Sequence, residues 1–126
     1  MIILAVALAT LASFIASAAL YALPPVSAAI SRTSTPRPGL PVVAQMASVV
    51  LRSLIASCLV AGLMLAAGWH GIGTGALLGL ALSALPLTLL MGGVVHEGTA
   101  PSAAGIHLLD WTLKLVIIGA IVGSFL

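Results

Sequence analysis

The sequence predicts an all-α integral membrane protein, a four-helix transmembrane bundle occupying residues 1–126 as a single domain. Hydrophobic residues make up 62% of the chain and charged residues only 5%, whereas a soluble domain carries roughly 25% charged residues. The apolar residues fall into continuous runs of helix length. They do not alternate with polar residues, as the strands of a membrane barrel must.

The first predicted span covers about 2–23 and holds no charge, with Tyr21 at its end where an amphipathic ring suits the interface. Ala16-Ser17-Ala18 resembles a signal-peptide cleavage site, but no basic segment precedes the apolar run, so the expectation is a retained helix. Pro24-Pro25 stops it. Residues 24–41 read as a connecting loop, polar and proline-rich from Ser31 to Gly39, with room for a short interfacial turn over Val26 to Ile30.

The second span covers about 43–68, with Pro41 suited to its first position and Trp69-His70 marking the opposite interface. Gly71-Ile72-Gly73-Thr74-Gly75 reads as a tight turn. The third span covers about 72–95. Pro86 lies inside it and deprives the Leu82 carbonyl of its partner, which predicts a kink. Thr99 or Ser102 is placed to cap the fourth span, about 102–125, with Pro101 in its first turn.

The charged residues are Arg32, Arg37, Arg52, Glu97, Asp110 and Lys114, for a net charge of +2. That is too little for nucleic-acid binding. Four crossings put both termini on one side and the arginine-bearing loop on the other, so the positive-inside rule predicts N-out and C-out. The richness in Ala, Gly, Leu and Val points to a high-GC bacterium and hence to its cytoplasmic (inner) membrane.

Small residues recur every four positions: Ala5, Ala9, Ser13 and Ser17; Ser53, Ser57 and Ala61; Gly71, Gly75, Gly79 and Ser83; Gly119 and Gly123. Lipid gives helices little hydrophobic reason to associate, and such rows let backbones approach closely. They are expected either to pack the bundle or to dock a partner chain. Cys58 has no second cysteine to pair with and reads as a small buried hydrophobe.

One polar cluster stands out. His107, Asp110, Trp111 and Lys114 share a face of the fourth span. Arg52 enters the second span to a similar depth, so an Arg52–Asp110 ion pair is allowed, as is Asp110–Lys114 at i, i+4. Ionised groups at the bilayer centre cost roughly 2.5–3.5 kcal/mol each on insertion scales. The cluster is therefore either a structural lock, a proton, ion or ligand site, or a contact with a partner subunit. His96, Glu97 and His107 gather at the same end without metal-binding spacing, so no metal and no cofactor are expected. No nucleophile–base set, phosphate loop or dinucleotide fingerprint is present, so an enzyme is not expected.

Several segments resemble a family of small bacterial membrane proteins, domain of unknown function 1761. They are Leu20-Tyr21-Ala22-Leu23-Pro24, Gly75 to Leu80, Glu97-Gly98, and Gly119 to Gly123. The resemblance implies a four-helix membrane fold and no catalytic residue. Small multidrug transporters are similar in size and span count, but they need a carboxylate in the first helix, where this chain has none. The expected function is an accessory or structural subunit of a larger membrane complex, with protein partners or a homo-oligomer in the bilayer. The alternative is a small oligomeric transporter or channel using Arg52, Asp110 and Lys114.

Overall fold

Each long apolar run forms a membrane-length helix, and prolines and glycines set the breaks between them. The computed structural model describes residues 1–126 and contains α1 (Ile2–Ala22), α2 (Pro24–Thr33), α3 (Val42–Ala67), α4 (Ile72–Leu82), α5 (Ala84–His96) and α6 (Pro101–Ser124), with no strand. Four stretches are long and apolar enough to cross a membrane: α1, α3, α4 with α5, and α6, of 21, 26, 25 and 24 residues. At 1.5 Å per residue these span about 31–39 Å, against a hydrocarbon core of about 30 Å.

Four local features differ from expectation. Residues 24–33 are helical rather than loop: Pro24 and Pro25 end α1 and then fill the first turn of α2, where the missing N–H groups have no partner to lose. Arg32 sits in the last turn of α2, beside its partial negative charge. The tight turn lies one step earlier than Gly71–Gly75. Gly68 takes the left-handed conformation that closes α3, Gly71 has φ 93°, and α4 begins at Ile72. Neither Thr99 nor Ser102 caps α6; Ala100 precedes Pro101 with no side-chain cap. Cys58 is exposed, not buried.

The α4–α6 pair is the tightest in the bundle. Gly75 lies against Gly119, Gly79 against the Leu115 backbone, and Gly123 against the Gly71 carbonyl, so a β-carbon at Gly75, Gly79, Gly119 or Gly123 would strike a facing carbonyl. Gly71 N–H also donates to the Gly123 carbonyl at 3.1 Å. The glycine rows of the two spans thus pack on each other within one chain.

The third span breaks where this packing ends. Continuing the antiparallel register by four residues sets Ser83 opposite Trp111, where neither helix offers a glycine. Pro86 removes the bond that would otherwise reach Leu82. α4 accordingly ends at Leu82, and α5, which starts at Ala84, buries no residue. The small row of α1 is buried at Ala5, Ala9, Ser13 and Ser17, and the row on α3 at Ser53, Ser57 and Ala61. The hydrophobic core, with Ala9, Val60, Met64, Ile118 and Val122 at its centre, lies where α1, α3 and α6 meet.

Candidate functional site

Asp110 and Lys114 stand one turn apart on α6, on the face that α1 and α3 cover. Lys114 Nζ lies 3.2 Å from Asp110 Oδ2, and the two side chains are 1% and 7% exposed. The ammonium also stands 4.9 Å from the centre of the Trp111 ring, whose face attracts cations. Both charges are thereby matched within a single helix.

Arg52 is not part of this pair. Its side chain is exposed, and its Nε donates to the Ser48 carbonyl at 3.4 Å. That bond runs back toward the start of α3, as expected of an arginine reaching from apolar depth toward the membrane surface. Lys114 reaches Asp110 without leaving its own helix, whereas Arg52 would have to turn away from the polar end. The Arg52–Asp110 pair allowed by depth therefore does not form.

His107, the third polar residue on this face, meets Tyr21 instead, with Oη and Nδ1 2.7 Å apart. This bond ties the end of α1 to the first turns of α6. Its partners are 86 positions apart, and the only sequence signal was Tyr21 at a helix end. Tyr21→Phe is expected to lower stability by about 1 kcal/mol, the usual net worth of one neutral hydrogen bond, readable as a shift in thermal unfolding in detergent.

A line of hydroxyls joins α1 to α3. Thr10 Oγ1 is 2.8 Å from the Val6 carbonyl and 3.2 Å from Ser57 Oγ. Ser57 donates to the Ser53 carbonyl at 2.8 Å, and Ser13 to the Thr10 carbonyl at 3.0 Å. Using Thr10–Ser57 and Tyr21–His107 as fixed points, Ser53 stands at about the level of Lys114. Ser53 Oγ is fully buried without a hydrogen-bond partner. An unpaired buried hydroxyl costs about 1–3 kcal/mol, so Ser53→Ala is expected to leave stability unchanged or raise it by about 1 kcal/mol in the same unfolding measurement.

His96 and Glu97 lie exposed at the end of α5 and take no part in the Tyr21–His107 bond or the ion pair. No three His, Cys, Asp or Glu side chains gather closely enough to hold a metal ion.

Two cavities adjoin the cluster. One is an apolar groove of about 350 Å³ between α3 and the α4–α5 break, floored by Trp111 and Leu115 of α6. The other, about 420 Å³, lies under the 30–40 connection and is lined by Arg37, Gln45 and His107 among others. Arg52 lines both.

Four membrane-length helices, glycine-packed spans and a buried ion pair define a helical multi-pass membrane protein. The chain belongs to the family described as Protein of unknown function (DUF1761), which matches residues 4–123. No curated protein and no solved structure matches it.

Proposed function

We propose that this protein is a non-catalytic accessory or structural subunit of a larger membrane complex, placed in the bacterial inner membrane with both termini outside. The observation that carries this reading is the closure of the Asp110–Lys114 pair on itself. A transport path needs polar groups offered in series to a moving ion or substrate. Here the two charges neutralise each other under α1 and α3, while Arg52 turns away toward Ser48. Such a pair neutralises its own charges within α6 and leaves neither group to a moving ion or substrate.

α5 supports the subunit reading from outside the bundle, because it buries no residue and offers a whole half-span to a neighbour. Purification from the native membrane in mild detergent tests the proposal. A large stoichiometric complex is expected. A homo-dimer or homo-tetramer with nothing else bound would overturn it in favour of the small oligomeric transporter. For the orientation, a reporter fused after Leu126 is expected to be active only if it requires export. Activity of a cytoplasm-dependent reporter there would reverse the assignment.

A further inference from the structure

The divergence of α3 from α5 opens the apolar groove along the side of the bundle. Ile55 and Leu59 form one wall, Leu85 and Leu89 the other, and Trp111 and Leu115 the floor. Its volume, about 350 Å³, falls in the roughly 300–1,000 Å³ range of small-molecule sites. Arg52 is its one charged lining residue and stands at its edge toward the 30–40 connection.

That arginine lacks an anionic partner within the chain. The two acidic residues are Glu97 and Asp110, Asp110 is held by Lys114, and no carboxylate lies within 4.0 Å of the guanidinium. Arg52 also lines the second cavity, together with Arg37 and His107. One guanidinium therefore belongs both to an apolar channel and to a polar chamber holding a second arginine.

This is the chemistry of an amphiphile with an anionic head. We propose that the groove binds one anionic phospholipid of the surrounding bilayer, an acyl chain lying between α3 and α5 and the phosphate meeting Arg52 and Arg37. A free anion would use only the polar chamber. An uncharged apolar molecule would leave Arg52 unpaired, and a zwitterionic lipid would bring its own cation to two arginines. Arginine suits a phosphate through its planar fork of N–H donors.

The proposal does not depend on the subunit reading, and a purification that finds no protein partner leaves it standing. The test is a native mass-spectrometric titration of the full chain in detergent with phosphatidylglycerol, phosphatidylcholine of the same acyl chains, and inorganic phosphate. Phosphatidylglycerol is expected to bind roughly five- to tenfold more tightly than phosphatidylcholine, the discrimination one or two arginines give near a membrane surface. Arg52→Gln should remove that preference. Leu85→Trp, which fills the groove and leaves the charges intact, should weaken both lipids. Both substitutions are at exposed positions, so neither threatens the fold. Equal binding of the two lipids, an unchanged preference in Arg52→Gln, or full displacement of phosphatidylglycerol by inorganic phosphate would overturn the proposal.

Discussion

Gly79→Leu is expected to separate α4 from α6 and to lower the stability of the bundle by about 3 kcal/mol or more, the upper end of what overpacking costs. The first added carbon falls on the Leu115 carbonyl. A side chain in the way can change rotamer, but a backbone cannot, so the helices must move apart. In lipid, little but packing holds them together. Gly62→Ala provides the opposite sign. An added carbon there meets nothing within 4 Å, and alanine is favoured over glycine inside a helix by about 0.5–1 kcal/mol. Unfolding of the two variants in mixed detergent micelles checks both. Equal shifts would mean that the glycine row is not the seam of the bundle.

The second large effect lies at the ion pair. Asp110→Leu and Lys114→Met are each expected to cost about 3–5 kcal/mol, because either leaves one buried charge without its partner. Replacing both, as Asp110→Leu with Lys114→Met, is expected to recover most of that loss. The double-mutant cycle reads the coupling directly. Additive losses would show that the two residues act separately and that the pair is not a lock. Recovery of stability without recovery of a co-purifying partner would assign the charges to the assembly as well as to the fold.

The spans and their seam were legible because both depend on local pattern. Continuous apolar runs set the helices, the spacing of Gly71, Gly75 and Gly79 set the close face, and Pro86 marked the break. The side chains facing outward were less legible. In a membrane both faces of a helix are apolar, so the hydrophobic neighbours of Cys58 could not distinguish core from lipid. Helix α2 was hidden by its prolines, which break a helix in its interior but begin one well. The cluster on α6 was visible as a face at i, i+3, i+4 and i+7. The partner of each member was not, because depth alone allowed Arg52 and Lys114 equally. The choice rested on which side chain could reach Asp110 without leaving its own helix. The Tyr21–His107 bond and the groove at Arg52 arise only once four helices are assembled.

The break at Ser83 divides the third span into two differently packed halves. α4 is fixed to α6 through carbonyls in direct contact, whereas α5 rests against the bundle with no buried residue. The half of the third span near the termini is therefore packed backbone to backbone, and the half near the arginine-bearing connection is packed through partly exposed side chains. The groove wall supplied by Leu85 and Leu89 therefore belongs to a helix without a buried residue, whereas Leu115 on its floor belongs to the glycine seam. The groove beside Ser83 thus has a floor set by the glycine seam and one wall carried by an unburied helix.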